Sequence, residues 1–409
     1  MSETTNISMP NASASGVAAI VPPDNRSVPR LHFIDGLRGL AMLMVLLFHC
    51  WLFSGQWVVV LPLGTHRINL TSVIGFGYIG VNLFLVLSGF CLYWPFVKAG
   101  GRREPTLWEF AKKRCRRILP PYYVTLLLYG TPFFLLAMHH HSPFEINFAW
   151  NWLWLHAVMA QNLAPDYVIR IDAPLWTLAL EFQLYILFPV FVEAFRRFNP
   201  QGVVLITLLV SSAYRFFIWQ GQPHPSGSYA DFTSGFVLDS SVFGRCFEFV
   251  MGMYCARLVA RWYTDLNSPL RWSDFLLFAL IIPLYFLDHG RGILKEAMWG
   301  LGCAALLLAA SRPRSIANRI LSHRALMSLG IFSYSVYLIH QPLIEPLGRF
   351  AVRHFSKAII IGFELVLVVP LMLGLGYLFH LLFEKPFMTA PRSREVTPAF
   401  IPVQKTFAE

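Results

Sequence analysis

The sequence predicts an all-α fold, a polytopic integral membrane bundle of about ten transmembrane helices. Three observations carry that prediction. Of the 409 residues, 56% are hydrophobic, 15% aromatic and only 13% charged, whereas ordinary soluble domains are about 25% charged. Apolar segments near 20 residues recur along the chain, each long enough at about 1.5 Å per residue to cross a hydrocarbon core of about 30 Å. Lys and Arg collect in alternate connections, the habit of a membrane protein, so the net charge of +11 is not read as a nucleic-acid surface.

In order, the predicted spans are 38–60, 72–97, 119–137, 174–195, 203–219, 241–261, 273–288, 293–310, 325–347 and 358–383. A shorter Trp-rich run, 148–160, reads as interfacial or re-entrant, with a buried span as the alternative. Lys98, Arg102, Arg103, Lys112, Lys113, Arg114, Arg116 and Arg117 fill the second connection. Arg196 and Arg197 follow span four, Arg257, Arg261 and Arg271 span six, and Arg312, Arg314, Arg319 and Arg324 span eight. The positive-inside rule then puts these connections and both termini in the cytoplasm. Arg349, Arg353 and Lys357, after span nine, break the pattern.

Residues 1–30 carry Ser, Asn and Pro without an apolar core and read as a disordered cytosolic tail, not a signal peptide. Residues 389–409 form a second short cytosolic tail, leaving 31–388 as the membrane domain. Six cysteines without CxxC spacing predict neither a disulfide framework nor a metal site. His139, His140 and His141 are consecutive, so they point different ways, and read as an exposed loop. Chemistry is therefore expected from residues within or at the ends of the spans.

Arg38 and His49 bracket ten uncharged residues. Eleven residues amount to about three helical turns and 20°, so the two share one face and stand roughly 16 Å apart. Ionisable groups at membrane depth are costly and usually functional, although alone Arg38 suits a snorkelling anchor and His49 a histidine hydrogen-bonded within the bundle. By the same counting Glu181, His340, Arg215, Glu248 and Glu364 fall in the outer halves of their spans, which predicts an outward-opening polar chamber at the level of His49. Arg38, Arg114 and Arg117 gather at the cytoplasmic side. Two functions fit. A secondary transporter could carry an organic anion on Arg38 with a His/Glu proton relay. Alternatively, an enzyme could hold a phosphate-bearing donor inside and transfer part of it to an outer acceptor, with His49 as base. No repeat relates the two halves, which favours the enzyme.

Six segments, in this order, resemble the membrane-bound acyltransferase-3 family. They are FIDGLRGLAMLMVLLFH (33–49), GYIGVNLFLVLSGF (77–90), RCRRILPPYY (114–123), PLWTLALEFQLYILFP (174–189, with Thr177 where serine is common), FSYSVYLIHQP (332–342) and FEKP (383–386). The resemblance covers about residues 31–388 and implies O-acylation of an extracytoplasmic hydroxyl, chiefly on a cell-surface saccharide, by a stand-alone member without a fused hydrolase-like domain. It implies acyl-CoA, most often acetyl-CoA, as co-substrate, with no permanently bound cofactor. On this reading Arg38, Arg114 and Arg117 bind the coenzyme's phosphates. His49 is the general base, and Glu181 orients the imidazole or stabilises its cation. An acyl-histidine intermediate is the alternative. His340 and Arg215 are candidate acceptor-side residues; for His340 a cap or kink role is equally open, and for Arg215 an ion pair with Glu181. Ser88, beside Gly89, reads as a small-residue helix contact, and Tyr122 and Tyr123 as interfacial anchors.

Overall fold

A computed structural model describes residues 31–58, 60–63, 66–99, 106–140, 142–221, 235–237, 240–264, 292–313 and 315–388. Both predicted tails and the predicted seventh span, 273–288, lie outside these residues.

Helix α1 (His32–Phe53) starts earlier and ends earlier than the predicted 38–60. Its exit is set by Gly55 at φ 88° and Gln56 at φ 49°, left-handed positions that no helix can continue through. An antiparallel hairpin follows, β1 (Val60–Leu63) and β2 (His66–Asn69). The chain returns through α2 (Leu70–Gly75) and a 3₁₀ turn into α3 (Gly80–Ala99). Helix α4 (Leu107–His139) has 33 residues, begins with a Thr106/Glu109 capping box and contains Pro120, Pro121 and Pro132. At about 1.5 Å per residue it extends well beyond a bilayer core, which leaves its first turns for the basic run. Then come α5 (Pro143–Ala157), α6 (Leu175–Arg197), α7 (Pro200–Gly221), α8 (Val242–Thr264) and α9 (Lys295–Ser311). The short α10 (Ile316–Leu321) and α11 (Arg324–Ile331) precede α12 (Ser333–His354). The last rod joins α13 (Lys357–Phe363), α14 (Val369–Phe379) and α15 (Lys385–Met388) through two π-helical segments, Glu364–Val368 and His380–Glu384.

The all-α membrane architecture is therefore present, but among the described residues six helices, not ten, are long and apolar enough to cross a membrane. They are His32–Phe53, Val73–Ala99, Ala111–His139, Leu175–Arg197, Pro200–Ile218 and Ile359–Met388. Predicted spans six and eight are helical, but α8 carries Arg245, Glu248, Arg257 and Arg261, and α9 has only 17 residues. Predicted span nine is broken at Phe332 into α11 and α12.

The largest core joins α1, α3, α6, α7, α8 and α9. Lipid tails are as apolar as leucine, so helix association depends on close packing more than on a hydrophobic drive. The α3–α8 crossing shows this reciprocally: a Cβ on Gly89 would stand 1.9 Å from the Phe249 carbonyl oxygen, and one on Gly252 2.0 Å from that of Val86. Gly89→Ala should therefore push the two backbones apart and cost about 1–3 kcal/mol, read as a lower midpoint of thermal unfolding in detergent. Gly302→Ala, inside α9 and with a Cβ that would meet nothing within 4 Å, should not lower that midpoint and should raise it slightly through helix propensity.

Candidate active site

Helices α1, α3, α4, α6 and α12 surround a cavity of about 100 Å³ whose polar lining comes from Arg38, Arg114, Arg117, Thr177, Glu181, Tyr185, Ser333, Tyr334 and Tyr337. Sequence reasoning placed the three arginines together, and the structure brings them to one end of this cavity. Arg114 and Arg117 are three residues apart and so share a face of α4. Arg38 reaches across to Cys91 Sγ at 3.5 Å. Arg117 faces Glu384 at 3.7 Å, and Glu384 is fully buried. The Glu384 carboxylate accepts from Ser335 Oγ at 2.7 Å and lies 2.8 Å from His380 Nδ1. Both His380 and Glu384 belong to the π-helical segment, a form that concentrates at functional sites. This brace was visible in sequence only as part of FEKP, without a role.

In the middle of the cavity Glu181 accepts hydrogen bonds from Ser88 Oγ at 2.6 Å and from the Tyr185 hydroxyl. Two expectations are corrected here. Ser88 is not merely a small residue at a helix contact; Gly89 makes that contact and Ser88 bonds Glu181. Glu181 meets neither His49 nor Arg215 through these bonds but shares the cavity with the arginines. The depth count assumed that span four begins at the surface, whereas the connection before α6 is itself buried at Gln161, Asn162 and Asp172.

At the other end the Thr177 and Tyr337 hydroxyls lie 2.7 Å apart, and Thr177 Oγ1 donates to the Pro174 carbonyl. One turn beyond Tyr337, His340 meets His49: His340 Nε2 lies 3.1 Å from His49 Nδ1. His49 Nδ1 is also 3.0 Å from the Val45 carbonyl, and His340 Nδ1 is 2.7 Å from the Tyr337 carbonyl. Carbonyls only accept, so each Nδ1 carries the hydrogen. His340 Nε2 then offers its lone pair to His49 Nδ1–H, and His49 Nε2 is left as the basic nitrogen. His340, expected as an acceptor-side or cap residue, is the partner that orients His49, the place expected of Glu181. Glu364 packs beside Cys50, the next residue on α1.

The remaining charged residues of the predicted chamber belong to a second network. Arg245 Nη1 bonds Glu296 at 2.5 Å and Glu248 at 3.1 Å, and Asn82 donates to both carboxylates at 2.8 and 3.4 Å. Arg215 donates to the Gly244 carbonyl and adds its charge to this group. The network ties α3, α7, α8 and α9 together, so Arg215 sits with Glu248 rather than with His340. Tyr122 is fully buried and donates to the His156 carbonyl at 2.7 Å, which corrects its reading as an interfacial anchor; Tyr123 is 39% exposed.

Over residues 31–383 the chain matches the family described as Acyltransferase domain. It is 24% identical over 367 residues to the O-acetyltransferase OatA of Staphylococcus aureus, covering 85% of this chain and 56% of that protein. It is 26% identical over 343 residues to the peptidoglycan O-acetyltransferase OatA of Listeria monocytogenes, covering 76% and 49%. To the putative peptidoglycan O-acetyltransferase YrhL of Bacillus subtilis it is 26% identical over 350 residues, covering 78% and 49%. The chain spans about half the length of these relatives. No solved structure matches it.

The two charged groups should respond differently to mutation. Arg245→Met strands two buried carboxylates and should destabilise the fold by about 3–5 kcal/mol, measured by denaturation in mixed micelles. Arg117→Met, at a side chain 28% exposed and leaving Glu384 its Ser335 and His380 contacts, should lower the unfolding midpoint by less than Arg245→Met does.

Proposed function

The chain belongs to the acyltransferase domain family, and from that premise we propose that it is an integral membrane O-acyltransferase. It moves an acetyl group from cytosolic acetyl-CoA to a hydroxyl of an extracytoplasmic saccharide. Peptidoglycan is the acceptor that the names of two relatives suggest, and the bacterial inner membrane, with both termini cytoplasmic, is the setting. One observation carries the reading: a cavity lined by three arginines is also lined by Thr177 and Tyr337, and the paired His49 and His340 lie one helical turn beyond Tyr337.

Coenzyme A carries a 3′-phosphate and a pyrophosphate. Arg38, Arg114 and Arg117 supply planar donor forks for these groups, and Glu384, held by Ser335 and His380, orients Arg117. Arg38 and His49 are separated along α1 by roughly 16 Å, a span of the order of an extended pantetheine arm. The thioester then lies near His49. His49 Nε2 takes the proton of the acceptor hydroxyl as its oxygen attacks the thioester carbonyl. The carbon–sulfur bond breaks, the thiolate leaves, and the imidazolium returns the proton to sulfur. His340, accepting from His49 Nδ1–H, holds the reactive tautomer and stabilises the cation without bringing a buried negative charge. Glu181, with Ser88 and Tyr185, balances the arginines and shapes the passage between the two ends.

Release of free coenzyme A from acetyl-CoA by membranes supplied with a cell-wall acceptor tests the reading. His49→Ala should lower acceptor-dependent release by about 10²–10⁴-fold while acetyl-CoA still binds. His340→Gln should lower kcat with little change in KM, because it disturbs the orientation of the base and not donor binding. Arg117→Ala and Glu384→Gln should instead raise KM for acetyl-CoA, by about tenfold for the loss of one charged hydrogen bond. Near-normal turnover in His49→Ala would overturn the scheme, and uptake of labelled anions without coenzyme A release would put a transporter in its place.

A further inference from the structure

Between α4 and α6 lies a second, larger cavity that the transfer chemistry does not use, a groove of about 360 Å³. Both helices are long and apolar enough to cross a membrane. The groove's walls follow helical spacing. On α4 Trp108, Ala111 and Cys115 stand at i, i+3 and i+7, and on α6 Phe182, Ile186 and Pro189 stand at i, i+4 and i+7. Each helix therefore turns one stripe to the groove, which runs along the two axes. At about 1.5 Å per residue the α4 wall, from Trp108 to Ile118, is roughly 15 Å long and the α6 wall roughly 10 Å. Trp108 is 75% exposed and Ile186 65%, so the groove opens on the outside of the bundle.

The two ends of the groove differ in chemistry. The apolar span of α4 begins at Ala111, so Lys112 and Arg114 lie in its first turn, at the level of lipid headgroups, and Trp108 lies one turn before it, where tryptophan is favoured. At 100° per residue Lys112 falls about 40° round from Trp108, on the outer rim, and it is exposed. Arg114 lines the other rim with Tyr185. Among the described residues that line the groove Arg114 alone is charged, and the deeper part, between Ile118 and Phe182, is apolar. Glu193, one turn past Pro189 on α6, is itself held by Arg196 and Arg197. The shallow end is therefore cationic and the deep end hydrocarbon-like.

That division selects the occupant. A water molecule needs two to four polar partners, which the deep end does not offer, and a nucleotide or sugar would leave its polar groups unpaired there. A hydrocarbon chain gives up nothing by entering. An anionic group at the head of that chain would meet Lys112 and Arg114, as headgroups do in basic pockets between membrane helices. An acyl chain carried by the donor is poorly placed, because the transferase reading puts its thioester near His49, away from Arg114.

We propose that the groove between α4 and α6 holds one chain of an anionic glycerophospholipid from the leaflet at the basic end of α4, with the lipid phosphate between Lys112 and Arg114. Arg114, Ile118 and Tyr185 line both the groove and the arginine cavity, so the bound chain backs the wall that these residues form. The site stands without the transferase reading. Trp108 reports on it, although it is one of 12 tryptophans: the emission of the full chain in phosphatidylcholine nanodiscs, less that of Trp108→Phe, isolates its signal. That difference is titrated with phosphatidylglycerol or phosphatidylcholine carrying dibrominated chains, since bromine quenches only the rings it touches. The expected result is quenching at a mole fraction of phosphatidylglycerol about 25-fold lower, about fivefold for each of the two cations.

Two variants locate the preference. Lys112→Gln should reduce it about fivefold, and Ala111→Phe, which fills the groove and keeps every charge, should remove most of it. A further measurement needs no variant: mass spectrometry of the wild-type chain released from nanodiscs of the two lipids in equal amounts should find phosphatidylglycerol retained in preference. Equal quenching by the two lipids, equal retention of both, or a preference unchanged in Ala111→Phe would overturn the site. Relief of the quenching by palmitoyl-CoA, at concentrations where acetyl-CoA has no effect, would overturn it too and assign the groove to a long acyl chain on the donor.

Discussion

In a bundle surrounded by lipid, a buried polar group must find its partner within the chain, because neither solvent nor tail can supply one. Among the described residues the backbone meets this constraint by becoming helix almost throughout. Among side chains its consequences are more selective. Each ionisable residue at depth is either closed off by protein partners or left with hydrogen-bonding capacity to spare, and this separates what holds the protein together from what it works with.

The Arg245 network is of the closed kind. Two carboxylates, an arginine and Asn82 exhaust much of one another's capacity between α3, α8 and α9, and Arg215 adds positive charge nearby. Such groups seldom stabilise a fold more than apolar packing would, but removing one member leaves a bare charge behind. They therefore fix which helices meet. The cavity is of the open kind: three arginines face it with one braced by Glu384, and Glu181 offers the balancing charge.

The histidine pair shows how an imidazole can be oriented without a carboxylate. In the Ser-His-Asp arrangement a buried aspartate holds the imidazole tautomer; here a second neutral imidazole does so, itself fixed by the Tyr337 carbonyl. A neutral partner brings no anion beside His49 and still accepts the Nδ1 hydrogen. The Gly89 and Gly252 contact, by letting α3 and α8 touch backbone to backbone, keeps the α3 wall of the cavity in place.

Sequence alone determined the helical membrane class, the family, and the residues to watch. Hydropathy and charge alternation act along the chain, and the arginine–histidine spacing in one continuous helix needs no tertiary information. Helix phase by itself puts Arg38 and His49 on one face, and the i, i+3 relation by itself pairs Arg114 with Arg117. How these residues group across helices does not follow from such local rules. Depth counted from span ends placed Glu181 beside His49, yet α6 starts below a buried connection, so its residues sit at a level that no count along α6 could reveal. The same count gathered Arg215 and Glu248 into one chamber with the histidines, whereas the packing of α7, α8 and α9 turns them towards Glu296. Glu384 entered only as part of FEKP, without a role, since a carboxylate's role becomes legible only once its neighbours are known. Local periodicity is a property of one segment; partnership between segments is decided by how the helices cross, and that only the tertiary structure determines.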